Sequence, residues 1–400
     1  MAIDTRQVRA HAVVGAPVVL FMAVAAGFGT STIYPLQPGI ATVAESLGTS
    51  VSAVGFALAC GPLGYMLGLA LLVPLVDRIA PRRLLLAQFG VLAGALVTSA
   101  ASGSVWLLGV AMVVVGAASS VGAALSSLAG RLADPQRRAT VLGVVTAGIS
   151  AGILAGRIAG GWLTDAVGWR GMVVLLAAGC AVIAVASALV IPAVSPGSAN
   201  GYLATLRSMP GLFRRFPALR LAAVRGALWF FAFCAVWAGV AVALSEPPFS
   251  YSAERIGWYA AAGLLGIVAT RIAGAWTDRV GARRVILVGL ALAGSAALVL
   301  AVALPSVVAT VVALALFDAG LFAAQVANQS TVLAIDSAAP ARFNGAYMLV
   351  YFIGGSAGTA FGAAAVGWFG WGITALITAA AIASAMVITA VERVRRGPRM

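Results

Sequence analysis

Runs of about twenty residues, apolar at nearly every position, alternate along this chain with short breaks of Arg, Asp, Gly, Pro and Ser. A run that is apolar on all faces shows no buried stripe, so its length carries the information. A helix needs about 20 apolar residues to cross a bilayer. The breaks predict twelve helices, near 12–34, 51–74, 84–102, 105–127, 140–163 and 171–192, then 221–244, 256–276, 285–304, 306–330, 344–365 and 371–391. The longest break, "SPGSANGYLATLRSMPGLFRRFPALR" (Ser195–Arg220), separates six from six. The expected organisation is therefore a first half, 1–194, a cytoplasmic linker, 195–220, and a second half, 221–400. The linker's Pro, Gly, Ser and Arg suit a connection with a short amphipathic helix on the membrane surface. The first run follows Arg6 and Arg9 in the manner of a signal peptide, but it is long enough to span and is read as a retained first helix.

The halves repeat. "RIAGGWLTDAVGWR" (Arg157–Arg170) matches "RIAGAWTDRVGARR" (Arg271–Arg284), and "VPLVDRIAPRR" (Val73–Arg83) is a degenerate third copy. Asp77 and Asp165 lie 88 positions apart; Asp165 and Asp278 lie 113 apart, the excess being about the length of the linker. A further 88 positions from Asp278 reaches Val366, in "GAAAVGWFGW", which has Gly-Trp without the acid. A three-helix unit used four times, alternately inverted, is a transporter architecture. The fold class expected is an all-α membrane protein whose twelve transmembrane helices form two six-helix halves of inverted three-helix repeats.

Composition excludes a soluble chain: 62% of residues are hydrophobic and 9% charged, against about 25% charged in soluble domains. The formal charge of +14 would suggest nucleic acid in a soluble protein. Here all 25 basic residues are Arg, and 21 lie in or beside alternate loops. That bias is a topology signal placing those loops and both termini in the cytoplasm. The expected partners are the lipid bilayer, a small-molecule substrate and protons, with no nucleic acid, for a monomer in the inner (plasma) membrane. Cys60, Cys180 and Cys234 sit in apolar runs without metal-ligand spacing and read as buried thiols; no metal or cofactor is expected.

One acid stands apart. "LALFDAGLFAAQ" (Leu314–Gln325) carries Asp318 near the middle of the tenth span, while the other ten acids fall at termini, loops or span ends. Ionisable residues at that depth face a cavity or a partner and mark ion or substrate paths; a carboxylate there can take up and release a proton. Arg157, within the fifth span, is the natural counter-charge. Asp318, Gln325 and Gln329 fall on one helix face by their spacing, as do Trp229, Phe233 and Trp237. The fifth-span series Gly148, Gly152, Gly156 and Gly160 admits two readings: close helix packing, or a sliding contact between halves.

With these residues in view, the whole chain resembles the major facilitator superfamily. "GAWTDRVGARR" (Gly274–Arg284) looks like that superfamily's loop signature between the second and third helices of a half, and "VPLVDRIAPRR" keeps Asp77, Arg78, Arg82 and Arg83 but has Val73 and Ala80 for Gly. The resemblance implies a cytoplasmic gate of Asp77, Arg78, Arg82, Gly274, Asp278, Arg279, Gly281 and Arg283, the acids receiving helix N-terminal amides or an Arg. It also implies a cavity lined by the first, fourth, seventh and tenth helices. The polar and aromatic residues there are Thr30, Ser31, Tyr34, Ser119, Ser120, Trp229, Phe233, Trp237, Gln325 and Gln329. The fifth helix is expected near the second half, so that an Arg157–Asp318 pair bridges the halves and couples to protons. Two positions depart from the drug–proton antiporter pattern: Met112 stands before Gly116 in place of Arg, and Arg157 stands in place of Pro. The chain looks most like uncharacterised bacterial members grouped with drug or sugar exporters.

The expected function is secondary active transport of small organic molecules by alternating access, with proton-coupled export first. The alternative is a proton-coupled or facilitative importer of a small carboxylate or sugar. An intramembrane enzyme or sensor is a remote third reading, since the chain has neither a deep His nor paired deep carboxylates.

Overall fold

The computed structural model describes residues 15–134, 136–193, 211–336 and 340–395. Among them there is no strand, and nine helices are long and apolar enough to cross a membrane. Two of the nine, Thr140–Val190 and Arg342–Val391, run to 51 and 50 residues. At 1.5 Å per residue that is about 75 Å, more than twice the hydrocarbon core. Each is two helices joined at one glycine with positive φ, Gly168 (76°) and Gly370 (77°), a backbone state in which any Cβ is strained. Adding the shorter Ala16–Ser31 brings the number to twelve.

In chain order these are α1 (Ala16–Ser31), α2 (Val51–Leu71), α3 (Pro81–Ala100), α4 (Val105–Leu132), α5 (138–167) and α6 (169–190). The second six are α7 (Pro217–Ser245), α8 (Ala253–Val280), α9 (Ala282–Ala303), α10 (Val307–Leu333), α11 (340–369) and α12 (371–395). The membrane surface of this bundle is apolar: Val302, Leu189 and Val308 are 79, 74 and 73% exposed. The Arg loops occupy one face. Exposed Trp106, Trp162, Trp258 and Trp368 gather toward the other, as interfacial indoles do.

Side chains at the loops pin the reversals. On the Arg-rich face Arg82 donates to the Ile191 carbonyl at the end of α6, and Arg283 donates to Thr389 and Ala390 near the end of α12, both at 3.1 Å. On the opposite face Arg170, just past the Gly168 turn, donates to the Ser102 carbonyl at 2.9 Å. Trp371 donates there to the Leu300 carbonyl at 2.6 Å. The turn glycines also refine the repeat. Gly168, Gly281 and Gly370 all have positive φ, so the fourth copy's counterpart of Asp165 is Gly367, one residue beyond Val366. Ala80, at φ −54°, cannot make the same turn, and the first copy instead ends α2 through a 3-10 turn, Val73–Asp77.

One of two open readings holds, and two expectations are corrected. The fifth-span glycines pack within one half and do not slide between halves: Gly152, Gly156 and Gly160 lie against the carbonyls of Gly27, Ser31 and Pro35 along the α1 segment. The second half repeats the device, with Gly354, Gly358 and Gly362 of α11 against Ala227, Phe231 and Ala235 of α7. Lipid offers helices no hydrophobic reason to associate, so backbone approach over small residues supplies the packing. Of the corrections, the first is that α7 begins at Pro217, where a ring without N–H suits the first helical turn. Arg225 is therefore inside the bundle and not in a flanking loop. The second is that α5 continues to residue 167, which puts Arg157 ten residues, about 15 Å, from its end. Arg6, Arg9 and linker residues 195–210 lie outside the described residues, and the last part of the linker before α7, 211–215, is helical.

The close backbone approach makes a sharp prediction. Gly152→Val forces a side chain into the Gly27 carbonyl and should destabilise the protein by about 1–3 kcal/mol or more, read as a lowered unfolding midpoint in detergent. Gly90→Ala, where a Cβ meets nothing within 4 Å, should leave the midpoint unchanged or slightly raised.

Candidate functional site

The two halves meet tightly on the face opposite the Arg loops. Gly161 of α5 and Gly257 of α8 bring those helices almost into backbone contact, Gly257 lying over the carbonyls of Arg157 and Ile158. Beside them Asp165 accepts the Glu254 backbone N–H, in the first turn of α8, at 2.8 Å. A carboxylate at a helix N-terminus meets unpaired amides and the positive end of the helix dipole. Gly55 of α2 lies against Ala363 of α11, and Ser356 of α11 donates to the Ala59 carbonyl of α2. Along the Arg-rich part of α8, Leu264–Val280, contact with α5 is slight. The bundle is sealed on one face and parted toward the other.

Two charges lie beneath the seal. Asp318 is 2% exposed and eleven residues into α10, about 17 Å deep. Its Oδ1 accepts the Trp237 indole N–H at 3.2 Å, and its Oδ2 lies against Gly263. That glycine closes a 3-10 turn, Tyr259–Gly263, which interrupts α8. Arg157 is 5% exposed; its Nε donates to Gln37 Oε1 at 3.0 Å. Three rings surround its guanidinium, with centroids 4.6 Å (Tyr34), 4.9 Å (Trp237) and 5.9 Å (Phe233) away. The expected direct pair is absent: no ion pair joins Arg157 to Asp318. Trp237 stands between them, its face toward the cation and its N–H toward the acid, satisfying both ends of one indole.

Below this cluster, toward the Arg-rich face, is a cavity of about 170 Å³. Ile149 and Ile153 precede Arg157 in α5, and Leu321, Phe322 and Gln325 follow Asp318 in α10, so the charges lie above it as a roof, behind the residues that line it. Of fourteen lining residues eight are aromatic. Five expected residues line it: Thr30, Tyr34, Trp229, Phe233 and Gln325. Five others lie elsewhere. Trp237 is in the roof; Ser31 packs on Gly156; Ser119 bonds Thr32 at 2.7 Å; Ser120 accepts from Gln88 at 3.1 Å; Gln329 donates to Asn344 at 2.9 Å. The fourth helix is absent from the lining, and its Ser119 and Ser120 hydrogen-bond neighbours within the first half. In its place α2, α5 and α11 supply Tyr65, Ile149, Ile153, Tyr351 and Phe352, which sequence reasoning missed.

A second polar cluster was also missed. Arg225, 3% exposed, donates to Asn328 Oδ1 at 2.6 Å, while Asn328 donates to the Ala222 carbonyl at 3.0 Å. Tyr347 donates to Gln325 at 2.6 Å. These bonds tie α7, α10 and α11 together on the Arg-rich side of the cavity. Of the residues expected at a gate, Arg82 and Arg283 hold the ends of α6 and α12. Gly281 makes its turn at φ 85°. Gly274 lies at the edge of contact with Val326 of α10. Arg78, Asp278 and Arg279 are exposed, and the Asp77 side chain lies outside the described residues.

Two pseudo-symmetric six-helix halves, sealed at one face around a central cavity, make a secondary transporter of the alternating-access type. The sequence profile of the Major Facilitator Superfamily matches residues 19–249, and the chain belongs to that family. It is 31% identical over 353 residues to the putative uncharacterized transporter YgaY of Escherichia coli (strain K12), covering 88% of this chain and 90% of that one. It is 33% identical over 366 residues to the probable transporter SCO4007 of Streptomyces coelicolor, covering 91% and 85%. Among solved structures, the nucleoside transporter NupG (D323A mutant) superposes with TM-score 0.77 at 13% identity, over 93% of this chain and 99% of that one. A bacterial homolog of the human lysosomal transporter Spinster, inward-facing and occupied, gives 0.75 at 15% identity, over 94% and 96%.

The Asp165 contact is testable. An exposed acid at a helix N-terminus contributes about 0.3–1 kcal/mol, so Asp165→Ala should raise opening of the sealed face by roughly two- to fivefold. The measurement is labelling of Ile33→Cys, in a background lacking the three native cysteines, by an impermeant thiol reagent applied from that face.

Proposed function

We propose that this chain is a proton-coupled transporter that moves small organic molecules outward across the bacterial inner membrane by alternating access. The observation that carries the reading is Asp318, an acid buried at mid-membrane where α7, α8 and α10 meet, on the roof of the cavity. Opposite unit charges several ångströms apart attract by a few kcal/mol at the effective dielectric of a protein site. Asp318 belongs to the second half and Arg157 to the first, so a proton on Asp318 weakens an attraction between the halves. The 3-10 turn against its Oδ2 lies in α8, the helix that closes on α5. Protonation is thus placed to bias the contact that opens and shuts. The transmembrane potential supplies about 2.3 kcal/mol per charge per 100 mV to such a cycle.

With the Arg-rich loops and both termini in the cytoplasm, as the positive-inside rule assigns them, the cavity opens inward. When it shuts, Asp77, Arg78, Asp278 and Arg279 are the residues we place at the cytoplasmic gate. Each chain holds a whole cavity, which suits a monomer. Export fits the wall: aromatic faces with few hydroxyls and amides suit a partly apolar solute, whereas a sugar needs many more hydrogen bonds. Uptake of a small carboxylate is the second reading, favoured by one observation, the cation of Arg157 in the roof.

The test is growth inhibition across a compound panel, in a bacterium lacking its own exporters, with wild type or Asp318→Asn at matched membrane levels. Resistance conferred by wild type and lost at least tenfold in Asp318→Asn is the expected outcome. Equal resistance from both removes Asp318 from coupling. Resistance to no compound removes export and leaves uptake, measured next with labelled organic acids.

A further inference from the structure

Arg157 is a buried cation with spare donors. Nε is taken by Gln37, but among the described residues neither Nη atom hydrogen-bonds a protein group. Asp318 does not take them, since its Oδ1 is held by Trp237 and its Oδ2 faces Gly263. A buried charge without hydrogen bonds is costly, and a structural arginine in such a place is ordinarily paired. Arg225 shows the difference within the same molecule: its Nε bonds Asn328 at 2.6 Å and Nη2 bonds Thr331 at 3.3 Å. The guanidinium of Arg157 lies directly behind the cavity wall. Tyr34 and Phe233 lie against the guanidinium and also line the cavity. Beside the guanidinium is a void of about 10 Å³, bounded by Tyr34, Gln37, Cys234 and Thr359 among others, about the room that one water-sized group needs.

The fork geometry of guanidinium matches two oxygens on one carbon. The rest of the cavity is aromatic and aliphatic, and its polar groups are those of Thr30 and Gln325, the tyrosine hydroxyls and the Trp229 indole N–H. A solute that fits both parts has a flat, ring-bearing body and one carboxylate at its end.

We propose that Arg157 is the recognition site for the carboxylate of a ring-bearing organic anion, whose body lies in the aromatic cavity. This rests on the cavity being the transport site, and it names the substrate class for either direction of movement. The carboxylate docks on the Nη edge, and Tyr34 and Phe233 hold the guanidinium while contacting the first ring of the solute.

The experiment is calorimetric titration of the full-length protein in detergent with matched acids and amides: 2-naphthoate and 2-naphthamide, indole-3-acetate and indole-3-acetamide, cinnamate and cinnamamide. Hydrogen bonds to a charged group contribute enough for at least about a tenfold preference. The expected result is that preference for the acid over its amide in one or more pairs. Arg157→Gln should reduce it to within about twofold, and Arg157→Lys should keep part of it. Equal binding of acid and amide by wild type overturns the proposal while leaving an aromatic transport cavity in place. An acid preference unchanged in Arg157→Gln also overturns it, as does absence of binding by all six compounds. Should Arg157→Gln not fold, as read from its unfolding midpoint, the wild-type ratio decides. The Asp318 growth comparison does not depend on solute charge, and so separates failure of this site from failure of the transport reading.

Discussion

Two opposite charges buried at mid-membrane, on helices of different halves, with an indole between them, set the terms for the rest of this structure. Neither Asp318 nor Arg157 could remain ionised among apolar side chains without neighbours arranged for it. The acid has an N–H from Trp237, and the cation has an amide oxygen and three ring faces. Those neighbours come from α7 and the segment that follows α1, and the charges themselves from α5 and α10, so holding the charges brings the four helices to one point. The aromatic cavity lies under that point because two of the rings that shield the cation, Tyr34 and Phe233, are also part of its wall.

The halves can move around this cluster because each is internally rigid. Glycines four residues apart lock α5 to α1 and α11 to α7, and a methyl group at most of them would meet a carbonyl. Between halves the contacts are fewer and gather at one face: Gly161 with Gly257, Gly55 with Ala363, and Asp165 with the start of α8. Asp165 does on that face what the repeated acid is expected to do on the other. It receives amides at a helix start and joins two helices that must later part. The repeat in the sequence is thus a repeat of a mechanical part.

Much of this was legible in the sequence because lipid imposes simple rules. Run length gave the helices, the Arg bias gave two distinct faces, and the one deep acid marked the centre. What escaped reading depends on which helix lies opposite which. The fourth-span serines looked like cavity residues, but Ser119 and Ser120 find partners in Thr32 and Gln88. Trp237 belonged visibly to an aromatic stripe, yet only the packing shows that it stands between the charges and not in the wall. Tyr65, Phe230, Tyr351 and Phe352 carry no signal distinguishing a cavity aromatic from a lipid-facing one. Arg225 could have been placed: "FPALR" puts Pro217 at a first helical turn, which draws Arg225 eight residues inward.

The single-glycine reversals at Gly168 and Gly370 have a consequence for how such a chain can change over time. Most loops tolerate added residues because their backbone is exposed and uncommitted. Here each turn is one residue long, and the residues just beyond it are engaged, Arg170 with Ser102 and Trp371 with Leu300. An inserted residue would rotate the following helix by about 100° and turn its lipid-facing side toward the bundle. Length at these two points is therefore fixed, so a tag, an epitope or an evolved extra domain has to enter elsewhere in the chain.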